Sequence, residues 1–473
     1  MAAQMFVPFH GEGSGVGELT WGQKGIWQTI WLSGQSVTMG GVDALPPGTT
    51  VEDAVATLRY VVARHQSLRT RLRFEPDGRV LQVVSSEGEI PLELVDVDGG
   101  DDPAEVAESV RLRYQSSDFD YVREWPLRMA LIRQHGEPTH AVAIYLHMAM
   151  DAGGMDVLMA DSRADRTGSP AATAMQPLQL AWQQQQPAAL RQGAASLRHL
   201  EQVLRTISPR RFGPPTGGPV PGFEQVSYSS AAMLLANRAV AAGTGVGVNP
   251  VLLAAFAVTL ARHTGINPVV VVLPVSNRFR PGFAGMVSPV AQISPCVLDL
   301  AGVSFGGAIR RAARSSMHAF KHAYYNPDER YALLRRVDEE RGEEIDISCF
   351  FNDRRRPGRP LPAGPLATVR EIRAALPSSR LRWTTEPGIS KQKLYLSVDD
   401  TPDTIELAMS ADTEHLSTVD MEAIVRGTEA VLVEMAVDPE APTGVPAAAP
   451  EPAAAPEPTA APAVGTRAGG AAR

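Results

Sequence analysis

Tyr145-Leu146-His147-Met148-Ala149-Met150-Asp151-Ala152-Gly153-Gly154 is the stretch of the chain best suited to chemistry. An apolar run ends on a histidine, an aspartate follows four residues later, and two glycines come next. Imidazole has an ordinary pKa near neutrality, so it can accept a proton and return it within one cycle. Asp151 could orient that ring, or it could form a buried ion pair that shapes the loop. His-x-x-x-Asp spacing is common by accident, and by itself it leaves both readings open. Among the other histidines, His65 reads as structural, and His135, His140, His318 and His322 read as residues of turns or of a helix face. His318 and His322 are four apart, a spacing that metals accept. No cysteine or carboxylate set accompanies them, so no metal site is expected.

The elements around this stretch must hold the histidine in place. Ala141 to His147 is nearly all apolar and predicts a central strand, with Leu127 to Arg133 as its partner and a turn at Gly136-Glu137-Pro138. Gly153 and Gly154 then open a helix through Met155 to Met159. Such strand-to-helix steps are where α/β proteins commonly expose functional side chains. Upstream, the first folded segment is expected near Leu19. Val51 to Arg64 has the periodicity of an amphipathic helix, with Leu58, Val61 and Val62 on one face. Leu68 to Phe74 and Val80 to Val84 alternate like paired strands around Pro76-Asp77-Gly78. Pro103 to Tyr114 predicts another helix, with proline in its first turn.

The middle of the chain changes character. Asp165 to Pro187 is polar and Gln-rich, Pro209 to Pro221 is dense in Pro and Gly, and Ala188 to Ile207 between them predicts a helix. This has the composition of a crossover. Beyond it come helices at Pro250 to Thr264, Phe305 to Tyr324, Asp328 to Glu339 and Thr418 to Ala436. Strands are expected at Val269 to Leu273, Ile345 to Phe351, Leu394 to Val398 and Ile405 to Met409. The fold class is therefore α/β in both halves: 1–175 as a first lobe, then 176–438 as crossover and second lobe. Residues 439–473 are almost entirely Ala, Pro, Glu and Gly, too poor in apolar surface to offset the entropy of ordering. A disordered tail is expected there, with polyproline-like stiffness around 450–462.

Composition narrows the function classes. Hydrophobic residues make up 44% and charged residues 20% of 473, the balance of a globular chain with a real core. The formal net charge of −8 argues against nucleic acid as the main partner, because phosphate binding needs a clustered basic surface. Arg354-Arg355-Arg356 is the densest positive spot, readable as a solvated loop face or as a contact for an acidic carrier protein. Cys296 and Cys349 make neither a disulfide framework nor a metal cluster, which fits a reducing cytoplasm. The opening residues have no basic n-region and no long apolar run, and no stretch is long and apolar enough to span a membrane. The expectation is a cytoplasmic protein without a membrane segment.

The histidine stretch also resembles the HHxxxDG motif of the condensation-domain superfamily, which includes condensation domains of nonribosomal peptide synthetases and chloramphenicol acetyltransferase. Other segments match that family in order and spacing over roughly residues 15–440. Leu19-Thr20-Trp21-Gly22-Gln23-Lys24-Gly25-Ile26-Trp27 is similar to its LTxxQxGIW opening, and Arg64-His65-Gln66-Ser67-Leu68-Arg69-Thr70 to RHExLRT. Phe119-Asp120 with Pro126-Leu127-Arg128 resembles FDL…PLxR, Val275-Ser276-Asn277-Arg278 its NR step, and 287–295 its VGxFxNTxP stretch. Departures are Leu146 for the first histidine, Ala152 for the motif glycine, Gln292-Ile293 for Asn-Thr, and Val297 for an arginine.

The resemblance implies two chloramphenicol acetyltransferase-like lobes in a V, with a channel between them. It implies that His147 faces the reaction as base or positioning group, that Asp151 points away to pair with Arg278, and that Gly153, Gly154 and Gln292 lie along the channel. The implied reaction joins a carrier-bound acyl or aminoacyl thioester to an amine or hydroxyl. The substrates would ride on phosphopantetheine of separate carrier proteins. A monomer with no bound cofactor and no metal is expected, acting in natural-product biosynthesis. Two alternatives stay open: an inactive condensation-like module that recruits partners to a carrier-bound intermediate, and a coenzyme A-dependent acyltransferase. Leu146 and Ala152 favour the inactive module, and the retained His147 disfavours it.

Overall fold

The computed structural model describes residues 2–97, 100–163, 174–213, 222–355, 365–384 and 392–446. The first half runs β1 (Ala2–His10), β2 (Gly15–Glu18), α1 (Trp21–Ser33), β3 (Thr38–Ala44), α2 (Val51–Arg64) and β4 (Thr70–Phe74). It continues through β5 (Val80–Val84), β6 (Glu87–Asp96), α3 (Pro103–Gln115), β7 (Leu127–Gln134), β8 (Glu137–Leu146) and α4 (Ala152–Arg163). Five strands form a sheet in the order β1-β6-β7-β8-β3, and β2, β5 and β4 make a smaller one. One face of the larger sheet buries Ile90, Leu92, Leu127 and Leu131 against Leu58, Val61 and Val62 of α2 and Leu158 of α4. Its other face buries Ala130, Ile132 and Val142 under Ala107 and Val110 of α3. Each large side chain so buried contributes roughly 1.5–3 kcal/mol. β8 is bonded on both edges, to β7 and to β3, so the strand that leads to His147 is held from two sides.

The second half runs α5 (Pro177–Gln184), α6 (Pro187–Thr206), β9 (Phe223–Ser230), α7 (Ala231–Thr244), α8 (Val248–Thr264), β10 (Val269–Val275), β11 (Gln292–Leu298) and α9 (Phe305–His322). It ends with α10 (Pro327–Arg341), β12 (Cys349–Asp353), α11 (Val369–Ala375), β13 (Arg380–Thr384), β14 (Leu394–Asp400), β15 (Ile405–Asp412) and α12 (Thr418–Val437). Seven strands form its sheet, ordered β11-β10-β12-β14-β15-β9-β13. α8 is apolar all round, and every residue from Val251 to Ala261 is buried, so it is the core helix of this half. No single helix among the described residues is long and apolar enough to cross a membrane.

Local sequence explains where helices start. Thr20 caps α1 and Gln23 returns the bond, a reciprocal capping box; Thr50 with Asp53 and Ser417 with Asp420 do the same for α2 and α12. The two signature-like residues Thr20 and Gln23 therefore build a helix start. The β7–β8 hairpin turns on His135 and Gly136, both in the left-handed region at φ 53° and 86°, earlier than the turn expected at 136–138.

Several expectations need correction. Folded structure begins well before Leu19, because β1 pairs along its whole length with β6 and buries Val7 and Phe9. Pro8 breaks the strand signal, yet an edge strand tolerates it. α5 lies inside the segment read as crossover. It buries Gln184 together with Leu180 and Ala181, so its inner face is part polar and the periodicity is masked. β3, β6, β9, β11, β13, α1, α7 and α11 were not anticipated, and β12 begins at Cys349, not Ile345. The tail is ordered over 439–446: Thr443 is 1% exposed, its Oγ1 donates to the Leu300 carbonyl, and Val445 is buried. Residues 447–473, and with them the stiff spacer expected at 450–462, lie outside the described residues.

Candidate active site

β8 hands over to the site at Leu146. That side chain is buried among Leu19, Ile30, Leu72, Phe119, Ile144 and Met148, so an apolar residue is well suited to the inward position. Strand alternation gives the next residue the opposite side. His147 donates its backbone N–H to the Val37 carbonyl at 2.8 Å, and Ala149 N–H bonds the Leu146 carbonyl at 2.8 Å. His147 and Met148 are thus the two central residues of a closed turn. The imidazole is half-buried. Its Nδ1 is buried with no hydrogen-bond partner among the described residues, which leaves Nε2 as the nitrogen able to exchange a proton. Among the described residues no acceptor holds the Nδ1–H tautomer, the form in which Nε2 carries the lone pair.

Asp151, 5% exposed, does not serve His147. Its Oδ1 accepts from Gly154 N at 2.8 Å and from Arg278 Nη2 at 2.5 Å, while Oδ2 accepts from Val290 N at 2.9 Å and Ala291 N at 3.0 Å. One carboxylate therefore ties the start of α4 to both ends of the loop between β10 and β11. The Arg278 guanidinium also donates to the carbonyls of Phe283 at 3.2 Å and Met286 at 2.8 Å, fixing the loop between those strands.

The two glycines belong to the same junction. A Cβ at Gly153 would stand 2.1 Å from Arg278 Nε, so only glycine lets the guanidinium lie against α4. Gly154 supplies the N–H that Asp151 accepts, and its own Cβ position would meet Arg278 Nη2 at 3.3 Å. Ala152 is the exposed first residue of α4 and has no positive φ, so the missing motif glycine costs this turn nothing. Gln292 is buried, and both ends of its amide bond the Tyr325 backbone, at 2.8 Å to the carbonyl and 3.1 Å from the N–H. The contacts of Gly153, Gly154 and Gln292 among the described residues are therefore with the junction itself.

Asn277 was read only as a motif letter, yet it is a hub. It is fully buried at φ 56° and donates from Nδ2 to the carbonyls of Val290 at 3.1 Å and Ala323 at 2.7 Å. Asn tolerates the left-handed region better than most residues, and Ser-Asn-Arg after an apolar strand is the signal that pointed to it. Trp21 and Gly22 of α1 were likewise missed. The Trp21 ring packs on Tyr324 at 4.6 Å, and a Cβ at Gly22 would sit 1.9 Å from the Pro289 carbonyl oxygen.

The remaining signature-like residues support backbone. Arg69 is fully buried and donates to the carbonyls of Glu12, Gly13 and Ser85. Arg128 bonds Glu124 and the carbonyls of Tyr114, Ser117 and Asp118, and lies over the Phe119 ring at 3.9 Å. His65 Nε2 lies 2.9 Å from Asp161 Oδ2, which Arg64 also contacts at 2.8 Å. Burial holds the His65 pKa below its ordinary value, and the bond from His65, with help from Arg64, holds the Asp161 carboxyl down. Arg354 pairs with Asp399 and Arg355 with Asp353, so those two charges are met locally; Arg356 lies outside the described residues. Both cysteines are free and buried, and burial pushes the Cys296 thiol up to about 12.

A family model described as Condensation domain matches residues 14–451. No curated protein matches the sequence. The first condensation domain of the calcium-dependent antibiotic synthetase, solved with a substrate analogue, is similar at 18% identity and TM-score 0.65, covering 91% of this chain and 98% of that one. SgcC5 from Streptomyces globisporus gives 18% and 0.66, covering 90% and 100%. The X-domain in its complex with OxyB from teicoplanin biosynthesis gives 18% and 0.67, covering 90% and 94%. At these identities the likeness is one of fold.

Proposed function

The chain belongs to the condensation-domain family, and from that premise we propose that it is a condensation-type acyltransferase in natural-product biosynthesis. The donor is an acyl or aminoacyl thioester on the phosphopantetheine of a separate carrier protein, and the acceptor is an amine or hydroxyl. The acceptor atom attacks the thioester carbonyl, the new C–N or C–O bond forms, and the C–S bond breaks. The proton leaves the acceptor through His147 Nε2 and ends on the carrier thiol. No enzyme-bound acyl group is needed. Holding two reactants together supplies most of the acceleration, and the imidazole adds a general-base or positioning factor of about 10²–10⁴. In this reading Gly153, Gly154 and Gln292 shape the wall of an interlobe channel from behind. The protein acts as a cytoplasmic monomer on carriers in trans.

The observation that supports this most is the division of the His147–Asp151 pair. The carboxylate is spent on Arg278 and three backbone N–H groups, while the imidazole stands on a turn with its Nδ1 unpartnered among the described residues. The well-filled site of Leu146 and the helical Ala152 support the active reading over the inactive module. Donor- and acceptor-loaded carriers incubated with wild type and His147→Ala should give product at a rate lower by about 10²–10⁴-fold in the variant. Equal rates would refute the role of His147. No product from wild type, despite carrier binding, would instead support a recruiting module, the reading favoured by similarity to an X-domain solved with its partner. Replacing the loaded donor carrier by acyl-coenzyme A tests the soluble-donor alternative.

A further inference from the structure

Tyr145 leaves β8 on the same side as His147. Ile144 and Leu146 both enter the cluster that holds Ile30 and Leu72, while Tyr145 packs against the opposite one, with Leu127 and Met150. Pairing with β3 sets Leu146 opposite Thr38 and Tyr145 opposite Met39, and the bond from His147 N–H to the Val37 carbonyl carries that register one residue further. Residues two apart on a strand share a face, with Cα atoms about 6.5–7 Å apart. The Tyr145 ring is half-buried, and its hydroxyl has no hydrogen-bond partner among the described residues. Phenols in such surroundings usually find one. Those of Tyr114, Tyr121, Tyr228, Tyr324, Tyr325 and Tyr395 are all bonded within the protein. There is room on this face, because a Cβ at Gly41 of β3, opposite Ala143, would meet nothing within 4 Å. Burial, with the Asp43 carboxylate on the same face, pushes the Tyr145 phenol up to about 12, so it stays protonated and able to donate.

We propose that Tyr145 is a second catalytic residue, its O–H donating a hydrogen bond to the oxygen that becomes negative when the thioester carbonyl is attacked. This rests on the acyl-transfer reading and adds the group that stabilises the intermediate. The acceptor atom bonds to the carbonyl carbon and gives its proton to His147 Nε2, and the C=O electron pair moves onto oxygen. The phenol holds that oxygen without losing its own proton. As the C=O bond forms again, the C–S bond breaks and the proton on His147 passes to the carrier thiol. A single tetrahedral centre needs its attacking atom about 3 Å from the base and its oxygen about 3 Å from the donor. Side chains that rise from one strand face at i and i+2 can flank it in that way. A donor fixed beforehand needs no reorganisation as charge develops. The Tyr145 ring, packed on the cluster of Leu127 and Met150, meets that condition.

Tyr145→Phe in the full-length chain keeps the ring and removes only the hydroxyl. With donor- and acceptor-loaded carriers the variant should lose about 10²-fold in kcat, with KM for both carriers and the melting temperature unchanged. Tyr60→Phe, on α2, should turn over as wild type does. A trifluoromethyl ketone of acyl-pantetheine, whose hydrate copies the tetrahedral centre, serves as a probe that needs no turnover. In calorimetry it should bind Tyr145→Phe about tenfold more weakly than wild type, the loss expected for one hydrogen bond. A purely structural role of the ring would move neither quantity, since phenylalanine fills the same space. Equal kcat in wild type and Tyr145→Phe would overturn the proposal, as would a loss expressed wholly in KM. If wild type gives no product, the acyl-transfer reading fails by itself and the ketone decides on Tyr145. Tenfold weaker binding by the variant would then uphold the contact, and equal affinity or no binding by wild type would overturn it.

Discussion

At the scale of single residues, the short motif separates into one group free for chemistry and several fixed in place. Asp151 has four acceptor contacts, and removing the carboxylate strands the Arg278 guanidinium together with three backbone N–H groups. Breaking such a buried pair from one side costs about 3–5 kcal/mol. Asp151→Ala should therefore lower the unfolding free energy by that amount, read as a lower denaturation midpoint. Adding Arg278→Met should recover part of it, because the uncompensated charge goes too. An unchanged midpoint in Asp151→Ala would contradict the assignment. The sequence singled out His147 and Asp151, and the resemblance separated their roles. It could not show Gly153 in this light, because its reason is an arginine 125 positions later that packs where a Cβ would be.

At the scale of elements, the contact between α2 and α4 depends on protonation. His65, at the end of α2, is buried beside Asp161 of α4. Its folded-state pKa lies below the ordinary 6.5 because burial disfavours the charged ring. A lowered histidine pKa means that the unfolded chain takes up a proton before the folded one does. Its contribution is thus complete above pH 6.5 and declines as the pH falls below it. Melting temperatures of wild type should fall more steeply than those of His65→Asn between pH 7.5 and 5. Parallel curves would remove His65 from the pH response. Long apolar or amphipathic elements such as α2, α8 and α12 were readable from periodicity. β3, with glycines in its middle, and α5, with a glutamine on its buried face, were not, since tertiary partners complete what their own residues leave weak.

At the scale of the whole molecule, the two larger sheets have their own cores, a shared apolar cluster of Trp21 with Phe283, Met286, Val290 and Tyr324 joins the halves, and the last described segment closes the second. Residues 439–446 add to it: the Phe305 and Gly306 N–H groups bond the carbonyls of Ala441 and Pro439, and Arg262 Nε bonds the Thr443 carbonyl at 2.7 Å. Ending the chain at Asp438 should lower the melting temperature clearly relative to ending it at Pro446. Equal values would show these contacts to be energetically idle. Composition drew the boundary at 439 because Pro, Ala and Gly carry no periodicity, while the bonds that order this segment come from its backbone and from one buried threonine.

The Asp151 junction is also a seam. Its carboxylate bonds both ends of the loop between β10 and β11 and the start of α4, just after the turn that carries His147. Trp21 on Tyr324 and Lys24 on Asp328 fasten the same two halves at further places. The imidazole therefore stands beside a joint stitched at several points, and its position is fixed by both halves of the chain at once.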